Sequence, residues 1–185
     1  MQHRCAWCGD DPLYIAYHDR EWGVPCRDSR ALFAQLMLES FQAGLSWITI
    51  LRKRENFYAR FANFNPDILA GWGDAQVEAA LQDEGIIRHR GKIVAAIKGA
   101  QAWQKIEAGE GFAAFIWQTV EGAPIDNRVQ AQADVPASTP ASTALSRRLK
   151  TAGFNFCGPV ICYAFMQAAG LVNDHAVTCF HHAEV

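Results

Sequence analysis

The sequence carries almost no β signature. No stretch alternates apolar and polar residues over a strand's length, and no Asn-Gly or Asp-Gly pair joins two β-branched runs. Sheet-built classes are therefore excluded. A membrane-length apolar run is also missing. The most apolar stretch, 156–172, contains Pro159 and Gln167 and falls short of the roughly 18–20 residues a span needs, so a buried helix is expected and no membrane partner. Neither sign of charge is in excess: 17 Lys and Arg against 19 Asp and Glu give −2. Nucleic-acid binding by bulk charge is excluded, and any such binding must use local patches. No apolar export segment follows Met1. The cytoplasm is the expected compartment, with the six cysteines as reduced thiols or metal ligands, not disulfides. Repeats and long low-complexity tracts are absent too. Half of the 185 residues are hydrophobic, enough to fill the core of one domain spanning 1–185, and this excludes disordered and fibrous classes.

Helical spacing is what remains. Asp28-Ser29 can cap a helix carrying Leu32, Phe33, Leu36 and Met37, and a second runs from about Ser46 to Phe61. Asn65-Pro66-Asp67 starts a short helix. Asp74 caps another through Leu81, with Gly85 as its stop. Residues 91–107 and 111–120 read as helices, the latter short and apolar. Residues 134–143 read as a linker-like loop ending in a cap, followed by helices over 144–152, 158–169 and from Asp174. The expected class is all-α, with eight or nine short helices.

His175 and Cys179 stand four apart, which on a helix places both on one face, as a metal pair requires. Far away in sequence lie Cys5 and, thirteen residues on, His18. Zinc accepts thiolates and imidazoles in a tetrahedron, so one Cys and one His from each end make a closed structural set: Cys5, His18, His175 and Cys179. Cys8, His181 and His182 compete for the same role. Cys26, Cys157 and Cys162 lie in apolar contexts and read as core thiols. Without a metal, these ligands are ordinary surface and helix-end residues.

Glu39 follows Leu36 by three residues and Leu32 by seven, near the apolar stripe of its own helix. An acid there is either solvated at the core's edge or set in a pocket. Trp7, Tyr14, Tyr17, Trp22 and Trp47 are close in sequence. Aromatic faces beside a carboxylate form a receptor for a flat cationic ligand, or else they are plain core. Three basic clusters stand out, at 52–54, 88–92 and 147–150. The last, with Arg147 and Lys150, precedes a turn bounded by Gly153 and Gly158, which could aim backbone N–H groups at a phosphate. Asp174 is either a helix-start acid or a catalytic one.

Longer motifs then align. Asp11-Pro12-Leu13-Tyr14-Ile15-Ala16-Tyr17-His18-Asp19-Arg20-Glu21-Trp22-Gly23-Val24-Pro25 resembles the opening of the DNA-3-methyladenine glycosylase I family. So do Gln42-Ala43-Gly44-Leu45-Ser46-Trp47-Ile48-Thr49 and the run from Gly85 to Ile93. Ile161 to Ala168 and Gly170-Leu171-Val172-Asn173-Asp174-His175 complete the pattern over nearly the whole chain. The resemblance implies an all-α helix-hairpin-helix glycosylase whose structural zinc, on Cys5, His18, His175 and Cys179, ties segments 1–25 and 171–185 together. It implies excision of 3-methyladenine from double-stranded alkylated DNA by hydrolysis of the N-glycosidic bond, without lyase activity. A monomer is expected.

By the same resemblance the base pocket maps onto Glu39, Tyr17 and Trp47, with Trp7, Tyr14 and Trp22 as neighbours, and the hairpin onto Gly153–Gly158. Leu45, beside Gly44, is the candidate to fill the gap left by an extruded nucleotide. Two other classes compete. A zinc-stabilised DNA-binding module would release no base, and a zinc hydrolase would need an open coordination position.

Overall fold

The computed structural model describes residues 3–184. Met1, Gln2 and Val185, which belong to the two expected terminal segments, lie outside it. Among the described residues are nine α-helices and four short 3₁₀ turns. The helices are α1 (Pro12–Arg20), α2 (Ser29–Gln42), α3 (Trp47–Arg60), α4 (Pro66–Leu69), α5 (Asp74–Leu81), α6 (Arg90–Glu107), α7 (Phe112–Trp117), α8 (Pro140–Ala152) and α9 (Pro159–Ala168). No described helix is long and apolar enough to cross a membrane.

The organising element is α2. Asp28 caps it, its side chain accepting from the Ala31 amide at 2.7 Å. From Leu32 to Phe41 all but one of its residues are buried. A helix apolar on nearly every side must be surrounded, and α3, α6, α7 and α9 pack around it. Any polar residue in α2 is thereby carried into the interior, and Glu39 is such a residue.

Three expectations need correction. Residues from Asp174 onward form successive turns, not a helix. Polar side chains fold this segment on itself: Asn173 Oδ1 accepts from the His175 amide at 3.2 Å, and Asn173 Nδ2 donates to the His182 carbonyl at 2.9 Å. The loop expected over 134–143 ends at Thr139, whose hydroxyl accepts from the Ser142 amide at 3.1 Å, so α8 starts at Pro140 rather than Ala144. Proline at the first helical position costs nothing there. Periodicity also gives no helix over α1, although Asp11 caps it and Pro12 opens it. Its aromatic side chains serve two different sites, so no single apolar face marks it.

A two-residue parallel bridge pairs β1 (Ile125–Asp126) with β2 (Val172–Asn173). It pins the segment after α7 alongside the C-terminal turns, with the Val177 amide donating to the Val129 carbonyl at 2.9 Å.

Candidate functional site

A cavity of about 200 Å³ opens between α1, α2, α3 and α9. Its walls are Trp7, Tyr14, Tyr17, Trp22 and Trp47, and its polar groups are Glu39, Gln42, Gln132 and Gln167. All five aromatics expected to neighbour Glu39 therefore reach it. The Tyr17 and Trp47 rings lie 5.5 Å apart, tilted by 42°, and Trp7 meets Tyr14 edge-on at 5.1 Å. The indole N–H groups of Trp7 and Trp47 are buried without an acceptor among the described residues.

Glu39 is 3% exposed, and among the described residues only Gln35 bonds it, Nε2 donating to Oε1 at 3.0 Å. Burial raises its pKa from 4.5 to about 8, opposed by that one hydrogen bond. Burial favours the protonated carboxyl.

Behind the cavity lies a second cluster. One donor atom each of Cys5, His18, His175 and Cys179 falls within 4.8 Å of all the others, and all four residues are buried. The Cys5 Sγ–His175 Nδ1, Cys179 Sγ–His18 Nε2 and Cys179 Sγ–His175 Nδ1 separations are 3.6, 3.5 and 3.7 Å. Zn–S and Zn–N bonds of about 2.3 and 2.0–2.1 Å in a tetrahedron give S···N edges of about 3.5 Å, so the donors fit that ion. The other nitrogen of His18 is held by Asp19 Oδ1 at 2.8 Å, and Arg4 grips Asp19 in turn. A carboxylate behind a ligand histidine fixes its ring and tautomer. The Arg4 hydrogen bond holds Asp19 down at about 2, and burial keeps the Cys5 thiol up at about 12 and His175 down at about 4. The competing ligands are occupied elsewhere. Cys8 Sγ donates to the Cys5 carbonyl at 3.1 Å, and the His181 and His182 rings bond backbone carbonyls at 3.0 Å.

Cavity and cluster share a wall. Trp22 lines the cavity and meets the His175 ring at 4.7 Å, and Trp7 lies 5.4 Å from His18. Helix α1 serves both, since neighbouring Tyr17 and His18 point to different sites.

The turn bearing Leu45 and the turn between α8 and α9 both lie beside the start of α6. Lys92 Nζ donates to the carbonyls of Phe41 and Ala43 at 2.8 and 2.7 Å, clasping the turn that bears Leu45 against the start of α6. His89, at that start, meets Phe156 edge-on at 5.7 Å, so the turn between α8 and α9 is its neighbour. Leu45 and Phe156 are exposed, and Gly153 takes a φ of +111° that a side chain would strain. Of the basic clusters, Arg52 pairs with Asp11, Arg54 with Glu21, Arg88 with Glu84 and Arg90 with Glu78, while Lys53 bonds a carbonyl. Arg147 and Lys150 are exposed and have no ion pair among the described residues.

Asp174 is buried outside the cavity lining. It accepts from Tyr163 Oη at 2.5 Å, Gln167 Nε2 at 2.7 Å and Asn127 Nδ2 at 2.6 Å. Sequence reasoning missed Gln35, Gln42, Gln132 and Gln167. Only Gln167 left a signal, as the one amide in the apolar helix α9.

A family model described as methyladenine glycosylase matches residues 7–182. The chain is 54% identical over 177 residues to DNA-3-methyladenine glycosylase 1 of Escherichia coli (strain K12), covering 95% of each. It is 47% identical over 180 residues to the DNA-3-methyladenine glycosylase of Haemophilus influenzae, covering 97% of each. A solved structure of 3-methyladenine recognition by 3-methyladenine DNA glycosylase I from Staphylococcus aureus superimposes with a TM-score of 0.92. That match is at 40% identity and covers 96% of this chain and 95% of the other.

Proposed function

The chain belongs to the methyladenine glycosylase family, and from that premise we propose that it excises 3-methyladenine from alkylated duplex DNA by hydrolysing the N-glycosidic bond. The observation that carries this reading is Glu39, buried at an aromatic cavity on the central helix. The methylated base in DNA is cationic and departs neutral, so its leaving needs no general acid. The protein must extrude the nucleotide, recognise the base and stabilise positive charge that develops on the sugar.

Tyr17 and Trp47 flank the ring, and Trp7, Tyr14 and Trp22 close the site against water. Glu39 accepts from the exocyclic amine. As the cation enters, its field favours the carboxylate, the proton leaves to solvent, and the negative charge then faces the developing oxocarbenium. Among the described residues no lysine lines the cavity, and a lyase step needs an amine nucleophile. This supports a monofunctional hydrolase.

Leu45 fills the space left in the duplex. Helices α8 and α9 form the helix-hairpin-helix unit, with Gly153 and Gly158 bounding the turn against a phosphate. Cys5, His18, His175 and Cys179 would hold a zinc ion that supplies structure. Four protein donors leave no open position for water, which separates this reading from a zinc hydrolase. The protein acts as a single-domain monomer in the cytoplasm. Chromatography of material released from methylated DNA tests the proposal. Free 3-methyladenine and an un-nicked abasic strand are expected, and no released base would overturn it.

Two predictions follow the geometry. Replacing Arg147 and Lys150 with alanine should weaken duplex binding about equally for any sequence and reduce the salt slope by roughly 1–2, one for each phosphate no longer neutralised. An unaltered slope in a titration over salt would place the DNA on another face. Gly23 has a φ of +85°, and a Cβ there would lie 2.6 Å from His175 Nε2. Gly23→Ala should displace that ring and lower metal affinity about 10–100-fold, the usual effect of disturbing a ligand's support. Competition with a chromophoric chelator measures it.

A further inference from the structure

The reaction as described uses one polar group, Glu39, yet the cavity has others. Gln167 on α9 is half-buried and lines it opposite no assigned partner. Its amide is not free to turn. Asp174 behind it offers only acceptor oxygens, so the Gln167 atom at 2.7 Å must be the Nε2 donor. Asp174 is itself locked by Tyr163 and Asn127, which donate to it at 2.5 and 2.6 Å. This network fixes the amide in one orientation, with one N–H taken by Asp174 and Oε1 without a hydrogen-bond partner among the described residues. Gln42 shows the same commitment, its Nε2 donating to the Leu45 carbonyl.

We infer that Gln167 is a specificity residue of the base site: its carbonyl, held by Asp174 as a positioning residue, accepts from an N–H edge of the bound purine and disfavours a base with a carbonyl at that place. The inference rests on the reading of the cavity as the base site. 3-Methyladenine carries an amine at ring position 6, and 3-methylguanine carries an oxygen there. A fixed acceptor attracts the first and repels the second. Because half of the discrimination lies in repulsion, removing the acceptor affects the two bases in opposite directions.

The test is Gln167→Met, which keeps length and removes both hydrogen-bonding atoms. Release of both bases from the same methylated DNA is followed by chromatography. Binding of free 3-methyladenine is followed by quenching of the cavity tryptophans. The variant should bind 3-methyladenine about fivefold to tenfold more weakly, the worth of one hydrogen bond. Its excision of 3-methyladenine relative to 3-methylguanine should fall at least as much, with metal content unchanged. An unchanged ratio in an active variant overturns the inference and leaves the proposed function standing. A ratio shifted toward 3-methyladenine also overturns it, since Gln167 would then be a donor. Wild-type protein that releases neither base overturns the proposed function instead.

Discussion

Glu39→Gln should lower single-turnover excision of 3-methyladenine by a factor of about 10²–10³ and at the same time raise the melting temperature. The two effects have one cause. The carboxyl sits where water cannot solvate its charge, which raises its pKa from 4.5 to about 8. That gap corresponds to roughly 4–5 kcal/mol against the ionised form. The free protein avoids this penalty by holding a proton. On the proposed mechanism the cationic nucleotide supplies the compensating charge, and the same desolvation makes the carboxylate's field strong at the sugar. Glutamine keeps the shape but can never ionise, so the rate falls by the roughly 3–4 kcal/mol typical of losing a preorganised group.

The stability effect has a definite pH window. Between 4.5 and about 8 the folded state binds a proton that the unfolded state has released. Folding stability is therefore full below 4.5 and is lost as pH rises through about 8. Glutamine has no such loss. The variant's advantage should be absent at pH 4, grow through neutrality and level off above pH 8. The full gap of roughly 4–5 kcal/mol there moves the melting temperature by about 8–20 °C in a chain of this size. Melting curves across that range check the sign. A variant that excises at the wild-type rate would move the chemistry out of this cavity.

Cys179→Ala should lose metal and stability together. A tetrahedral ion on the four donors closes a loop between groups 170 residues apart in sequence, Cys5 and His175. In the chain-entropy account, a cross-link over so long a loop is worth roughly 4–5 kcal/mol. Losing most of that lowers the melting temperature by about 8–20 °C. Metal analysis should show well under one zinc per chain. The variant should also bind free 3-methyladenine more weakly, because Trp22 stands between His175 and the cavity. Chelator treatment of the wild type should reproduce all three changes. A full zinc load with unchanged melting in Cys179→Ala would sink the assignment of the ligands.

Much of this was legible in the sequence, for identifiable reasons. Helix α2 announced itself through Asp28 and a dense apolar pattern, and that density is what buries Glu39. The four residues of the Cys/His cluster could be named from residue chemistry, but not the backbone that brings them together. His-x-x-x-Cys spacing suits a helix, and the segment instead reaches the same convergence through turns pinned by Asn173. The basic clusters looked alike in sequence. Only the structure shows acids facing 52–54 and 88–92 while Arg147 and Lys150 remain unpaired among the described residues. The protonation of Glu39 was illegible because it depends on three-dimensional burial. The glutamines were missed because an amide gains a role only from its partner, and the pairing of Gln167 with Asp174 exists only once the chain is folded.

The link between Cys5 and the C-terminal turns also sets an order in time. At 5–20 residues per second, a ribosome needs roughly 10–30 s to add the 170 residues that separate Cys5 from His175. Until then Trp7, Tyr14 and Tyr17 have been synthesised but lack the ligands that hold their segment in place. Helices α2 to α7 can collapse around local contacts during elongation, whereas the pocket wall closes only after the last turns have emerged. A nascent chain is therefore expected to lack the Cys/His cluster until its last turns have emerged.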